Sequence, residues 1–200
     1  MTLWYLARAL GFVALIAFTA STSLGLLATS SRRGRQKTER RLVRQLVHRS
    51  VAVIGLLALG LHAAAVVADS YVDVSLPSTL VPFTAGYRPL AVGLGTLALW
   101  VFVLTAVSGA MRGRLAGWSA GGVSSRAWRV VHRVAYVGWA LSMGHGLLAG
   151  TDTRTPWALA TYALCAVAVG GTAVRVLATR TPRRRPALAG HRRLITHGGA

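Results

Sequence analysis

Acidic side chains are scarce in this sequence, whose 200 residues include four Asp and Glu against 23 Lys and Arg. Charged residues make up 14% of the chain, whereas about 25% is usual for a soluble domain. The single cysteine, Cys165, excludes an intrachain disulfide and a multi-cysteine metal site, and we interpret it as a small buried hydrophobe. The sequence therefore has neither the polar surface of a soluble protein nor the framework of a disulfide-rich one.

Hydrophobic residues make up 54% of the chain and fall into long runs. A helix needs about 20 apolar residues to cross the hydrocarbon core of a bilayer. Runs of this kind occupy residues 3–28, 46–68, 90–111, 128–149 and 156–178. The sequence therefore predicts an all-α integral membrane helical bundle with about five transmembrane helices. We expect one domain over residues 1–178, followed at 179–200 by a basic, disordered cytoplasmic tail.

The basic residues are distributed unevenly between the two sides of such a bundle. Twenty of the 23 Lys and Arg lie after the first run, after the third run, or at the end of the fifth run and in the tail, and the other three are Arg8, Arg88 and Arg154. Cytoplasmic loops are enriched in Lys and Arg, so we expect a multi-pass protein of the inner or plasma membrane, with its N-terminus outside and its C-terminus cytoplasmic. Because these charges flank apolar runs and form no soluble basic domain, they indicate membrane lipid rather than nucleic acid as a partner.

Histidines provide the candidate chemistry, since four of the six lie in two of the apolar runs. His48 and His62 are 14 residues apart in the second run, and His132 and His145 are 13 apart in the fourth. Both runs point the same way through the bilayer, and at about 1.5 Å per residue each spacing covers roughly 20 Å. We therefore predict an inner pair, His48 with His132, and an outer pair, His62 with His145. Two imidazoles from facing helices are what a six-coordinate heme iron requires.

Small and basic residues accompany the histidines. Gly55 and Gly138 lie midway along the two histidine intervals, where a glycine would let a flat macrocycle approach the backbone. Arg49 and Arg133 adjoin the inner pair and could bind heme propionates. On the outer side the candidates for that role are Arg88 and Arg154. The alternative interpretations are helix packing for the glycines and positive-inside or interfacial charge for the arginines.

The two histidine intervals differ in one respect. On an ideal helix a 14-residue spacing separates two side chains by about 40° around the axis, whereas a 13-residue spacing separates them by about 140°. His132 and His145 can therefore serve one side of the fourth helix only if that helix is tilted or distorted.

The histidine pattern resembles that of the ferric-reductase-like transmembrane domain family, which includes ferric reductases, NADPH oxidases and the heme-binding subunit of a methionine sulfoxide reductase system. The likeness lies in residues 46–49 (LVHR), 128–136 (WRVVHRVAY) and 145–153 (HGLLAGTDT), and residues 81–89 (VPFTAGYRP) resemble actinobacterial members. The resemblance covers about residues 1–178. It implies two stacked b-type hemes (heme b), held between the second and fourth helices, that carry electrons across the membrane as part of an oxidoreductase.

Ferric reductases and NADPH oxidases usually continue into a cytosolic domain that binds FAD and NADPH. This chain ends soon after the fifth run and contains no G-x-G-x-x-G unit, the fingerprint of a dinucleotide-binding domain. We therefore expect a separate electron donor, a flavoprotein or a quinol, on the cytoplasmic side. The acceptor on the outer face would be ferric iron, a quinone or a partner protein.

Two other functions stay open at this point. A transporter or proton-relay protein could use intramembrane histidines as titrating groups, although the four acidic residues all lie in or near loops. A heme-free structural or assembly protein of the membrane is the third alternative. A low-spin b-type absorption spectrum would select the electron-transfer hypothesis over both.

Overall fold

Helices form the framework of the protein in the computed structural model, which describes residues 2–28, 35–70, 72–115 and 125–180. They are α1 (Thr2–Ala28), α2 (Arg35–Ala68), α3 (Leu76–Leu80), α4 (Pro89–Leu115), α5 (Ser125–Arg133), α6 (Ala135–Ala149) and α7 (Pro156–Arg180). No strand occurs in these four ranges, and the predicted all-α class is confirmed. Nearly all of the predicted cytoplasmic tail, residues 181–200, lies outside them, so its disorder stays a prediction.

Four helices are long and apolar enough to cross a bilayer: Thr2–Ala28, Glu39–Ala68, Pro89–Met111 and Pro156–Thr179. Large hydrophobic side chains lie on their outer surfaces, and Leu164 and Val167, for example, are each 70% exposed. Soluble monomeric proteins rarely leave extended apolar patches in contact with water. By length and composition these helices indicate a membrane protein.

The predicted fourth membrane helix is divided at Val134 into α5 and α6, which corrects the expectation of one continuous helix. The peptide N–H of Val134 donates to the carbonyl of Val131 (3.1 Å), and that of Val137 donates to Val134 (2.9 Å). These bonds span three residues rather than four, so the backbone winds more tightly here than in an α-helix. The break lies between His132 and His145, in the interval where the sequence requires a distortion.

At the centre of the described bundle lies α1, which contacts α2, α6 and α7, while α4 packs mainly against α6. At mid-depth the rings of Phe18 on α1 and Phe102 on α4 stack, with centroids 3.8 Å apart and planes at 8°. A Cβ on Gly55 would lie 3.0 Å from the Phe18 ring, and one on Gly138 would lie 2.6 Å from Val101. Because glycine has no side chain, α2 and α6 can approach this aromatic core closely.

The connection between α2 and α4 folds over the end of the bundle that holds His62 and His145, and residues 72–88 are called the cap below. Its apolar side chains pack against residues of α1, α2 and α4, in a cluster formed by Val72, Val74, Ala85, Trp4, Val66, Tyr87 and Val92. The Arg88 guanidinium donates to the carbonyl of Leu148 (2.7 Å), and the Tyr87 hydroxyl donates to Ala149 (3.5 Å). Both carbonyls belong to the last turn of α6, where carbonyl groups have no hydrogen-bond donor within the helix. The cap therefore supplies hydrogen-bond donors to the end of α6.

Candidate cofactor site

The structure brings four of the histidines together in the two pairs that the sequence predicts. The imidazole rings of His48 and His132 have centroids 6.1 Å apart, with an interplanar angle of 72°. Those of His62 and His145 are also 6.1 Å apart, at 79°. One ring of each pair belongs to α2 and the other to α5 or α6, although α2 and α6 do not pack closely in the described bundle.

A ring separation of this size fits two imidazoles that share one metal ion. An imidazole nitrogen binds a metal at about 2 Å, and the ring centroid lies about 1 Å further out, so two opposed ligands have centroids about 6 Å apart. Within the described ranges no three His, Cys, Asp or Glu side chains converge on a common point. Each pair therefore offers two nitrogen donors, a set that would suit an ion whose other ligands come from a macrocycle better than a bare ion bound by protein alone.

Backbone carbonyls orient three of the four rings. The Nδ1 atom lies 2.7 Å from the Ala7 carbonyl oxygen in His62 and 2.8 Å from that of Ala91 in His145. His48 Nδ1 lies 2.9 Å from the carbonyl oxygen and 3.0 Å from the hydroxyl of Ser21. A carbonyl only accepts hydrogen bonds, so Nδ1 carries the proton and Nε2 of the neutral ring keeps a lone pair. Metal-binding histidines are held in the same way, with the second nitrogen donating to a carbonyl or carboxylate.

The fourth ring, that of His132, is positioned by an aromatic neighbour. Its centroid lies 4.9 Å from that of Trp128, with the ring planes at 16°. The Trp128 indole N–H donates to the carbonyl of Ser108 on α4 (3.0 Å), which fixes the indole against the neighbouring helix. Trp128 lies four residues before His132, one turn away on α5, so helical geometry places the two rings side by side.

Four glycines that the sequence analysis did not single out face the four histidines. A Cβ on Gly11 would lie 3.2 Å from Nδ1 of His62, one on Gly25 3.6 Å from Cε1 of His48, one on Gly95 2.7 Å from Nδ1 of His145 and one on Gly109 3.7 Å from Cε1 of His132. Gly11 and Gly25 lie on α1, and Gly95 and Gly109 lie on α4. Each glycine pair is 14 residues apart, and this repeat was the available signal, because it matches the His48–His62 interval.

A cavity that opens to the surface surrounds the outer pair, and its volume is about 1350 Å³ when the open space at its mouth is included. The lining is mostly apolar and runs from Phe18 and Phe102 at mid-depth to the cap residues Thr79 and Tyr87. His62 and His145 therefore line a mostly apolar cavity that opens to the surface.

The other predicted site residues lie elsewhere. Gly55 and Gly138 border the stacked phenylalanines between the two histidine pairs and touch neither pair of imidazoles. The side chains of Arg49 and Arg133 are exposed next to the inner pair. On the outer side Arg88 binds the end of α6 and Arg154 is exposed, and neither lines the cavity.

No family model, curated protein or solved structure matches this chain in comparisons with known proteins. The likeness to the ferric-reductase-like family therefore rests on the histidine spacing and the sequence stretches quoted above. The geometry of the two histidine pairs is the independent basis on which a function can be proposed.

Proposed function

We propose that this chain is a diheme b-type electron-transfer protein, the membrane component of an oxidoreductase that passes electrons from a cytoplasmic-side donor to an outer-face acceptor. The observation that carries the proposal is the repeated geometry of the histidines. Two pairs on the same helices have the same ring separation of 6.1 Å, and three of the four rings direct Nδ1 to a carbonyl.

In this proposal His48 and His132 hold an inner heme, and His62 and His145 hold an outer one. Bound heme supplies one-electron redox chemistry through its iron. The residues of the chain ligate the iron, fix the ring orientations and exclude water. The apolar lining of the outer cavity, from Phe18 to Val92, performs this last role.

Two stacked aromatic side chains lie between the two histidine pairs. His48 and His62 are 14 residues apart, which corresponds to roughly 20 Å along α2. The stacked rings of Phe18 and Phe102 lie in this interval, at 6% and 4% exposure. In this proposal the buried aromatic layer places a medium of low polarity between the two hemes.

The basic residues at the inner end of α2 support the proposal of an electron donor on the cytoplasmic side. The candidate span of this helix, Glu39–Ala68, has 30 residues, or about 45 Å, against a hydrocarbon core about 30 Å thick. About ten residues therefore extend past the core, and Arg40, Arg41 and Arg44 lie among them. Arg44 also donates to the carbonyl of Leu27 near the end of α1 (3.2 Å). Such a basic extension would attract an acidic flavoprotein, and the attraction would weaken as salt screens it.

The first test is the absorption spectrum and heme content of the purified protein. We expect a low-spin b-type spectrum with two hemes per chain. A colourless protein that folds in detergent and cannot be loaded with hemin would contradict the proposal and favour a proton-relay or structural role for the histidines.

The second test is electron transfer across liposomes with a reductant inside and a ferric chelate outside. Vesicles that contain the heme-loaded protein should reduce the external chelate faster than empty vesicles. His62→Ala protein in the same vesicles is the matched control, because it retains the bundle and the inner ligands. Equal rates in loaded and empty vesicles would contradict the transfer function while leaving heme binding intact.

A further inference from the structure

Two charged side chains line the outer cavity, whose described lining is otherwise apolar or neutral: Arg8 of α1 and Asp152. They form an ion pair, with 22% and 19% of the side chains exposed. Asp152 follows the end of α6, so the pair joins α1 to the turn between α6 and α7. Removing two charges from water costs free energy even when they pair. Charged residues in such apolar surroundings therefore indicate a functional role.

Arg8 is directly connected to the histidine site. It follows Ala7, whose carbonyl accepts the hydrogen bond from His62 Nδ1 (2.7 Å). Two adjacent residues of α1 therefore face this site: the Ala7 carbonyl orients the His62 ring, and Arg8 provides the guanidinium. Any group bound between His62 and His145 lies within the cavity that Arg8 lines.

The chemistry of the pair allows a second anion. A guanidinium has five N–H donors in a planar fork, and a bidentate carboxylate engages two of them, which leaves donors for a second anion. Arg88 and Arg154, the outer arginines considered from the sequence, do not line the cavity. This leaves Arg8 as the cation that a carboxylate-bearing ligand of the outer histidines would meet among the described lining residues.

We propose that Arg8 anchors a carboxylate of the group held by His62 and His145, and that Asp152 positions the Arg8 guanidinium for this contact. The inference rests on the proposed function, since it requires a heme with propionate groups at the outer pair. It adds a binding residue and its positioning partner to that site.

The two charges of the pair should shift the outer heme potential in opposite directions. A nearby cation stabilises the reduced state of the iron, and a nearby anion stabilises the oxidised state. Arg8→Gln should therefore lower the outer midpoint potential and Asp152→Asn should raise it, while the inner potential stays unchanged. Arg154→Gln is the matched control, because it removes an exposed arginine on the same side of the bundle.

The decisive experiment compares native heme with heme dimethyl ester, which lacks free carboxylates, in full-length protein reconstituted in nanodiscs. The readout is the rate at which the outer heme is lost to excess apomyoglobin. With native heme, Arg8→Gln should lose it about tenfold faster than the Arg154→Gln control, because a hydrogen bond to a charged group is being removed. With the dimethyl ester, the two variants should behave alike. Arg8→Lys should keep the potential of the wild type but still lose native heme faster, since it retains the charge and not the fork.

Two outcomes would overturn the inference. If Arg8→Gln accelerates loss of both hemes equally, the ion pair is a clamp between helices and not a carboxylate anchor. If Arg8→Gln and Asp152→Asn shift the outer potential in the same direction, the effect is structural rather than electrostatic. Failure of the proposed function is distinguishable from both, because the wild-type protein would then bind no heme at the outer pair.

Discussion

The inner and outer histidine pairs have the same ring separation in different surroundings. Around the outer pair both Nδ1 atoms donate to backbone carbonyls, and the facing helices approach closely, with Cβ positions on Gly11 and Gly95 only 3.2 and 2.7 Å from the rings. Around the inner pair the corresponding distances from Gly25 and Gly109 are 3.6 and 3.7 Å, and one ring is held by stacking on tryptophan. The rings of the outer pair thus pack closely against the facing helices, whereas those of the inner pair are packed more loosely, beside the α5–α6 break.

The same separation between two imidazole rings is therefore supported in two ways. A carbonyl acceptor fixes both the direction and the tautomer of an imidazole, while an aromatic neighbour fixes the plane alone. We therefore expect the outer pair to tolerate less change than the inner pair. Four sets of substitutions, in decreasing order of expected effect, test this comparison.

Removal of a ligand should have the largest effect. His62→Ala or His145→Ala should abolish the outer heme and leave the inner one, and His48→Ala or His132→Ala should do the reverse, because each pair is a two-ligand site. The measurement is heme per protein together with the reduced-minus-oxidised spectrum. His191→Ala, in the polar tail, is the control, and unchanged heme content in all four ligand variants would refute the pairing.

Addition of one methyl group at the facing glycines should affect the two sites differently. Gly95→Ala places a Cβ about 2.7 Å from Nδ1 of His145, which is too close for the ring to keep its position, so most of the outer heme should be lost. Gly109→Ala, at 3.7 Å from His132, is ordinary van der Waals contact and should keep the inner heme. Gly170→Ala, with no atom within 4 Å, is the matched control. Equal heme loss in the Gly95 and Gly109 variants would contradict the difference in tightness.

Truncation of the aromatic layer between the sites should affect stability more than ligation. Phe18→Ala removes one ring of the stack with Phe102, and a buried Phe→Ala change costs about 3–5 kcal/mol in protein cores. We expect a lower thermal unfolding midpoint in detergent, with both hemes still bound in the folded fraction. Phe83→Ala, at a cap residue that is 48% exposed, is the control, and loss of one heme alone would show that Phe18 belongs to a single site.

The smallest effect is expected at the inner pair. Ser21→Ala removes the hydroxyl that lies 3.0 Å from His48 Nδ1 but retains the carbonyl at 2.9 Å. A single neutral hydrogen bond contributes about 0.5–1.5 kcal/mol, so heme content should be unchanged and the inner midpoint potential should shift slightly. Complete loss of the inner heme in this variant would mean that the hydroxyl, and not the carbonyl, orients His48.

Sequence alone was sufficient for the helical class and for the grouping of the histidines into two pairs. The apolar runs predict three of the four candidate spans to within a residue, as the observed Pro156–Thr179 against the predicted 156–178 shows, whereas Glu39–Ala68 begins seven residues before the predicted 46–68. Rise per residue is a local property of any α-helix, so spacings of 14 and 13 residues place the rings in two layers. The pairing of His48 with His132 and of His62 with His145 follows from depth and orientation together.

Only the tertiary structure decided what lies around each ring. Three features depend on how non-adjacent helices are rotated and packed. They are the 3₁₀ turn at Val134, the glycines that face the histidines and the position of Arg8, rather than Arg88 or Arg154, at the outer cavity. Position along a helix axis follows from counting residues, whereas position around the axis depends on tilt, local distortion and the shape of the neighbouring helices. The positions of the candidate ligands along their helices therefore follow from the local sequence, whereas the groups around each ring follow from the packing of the whole bundle.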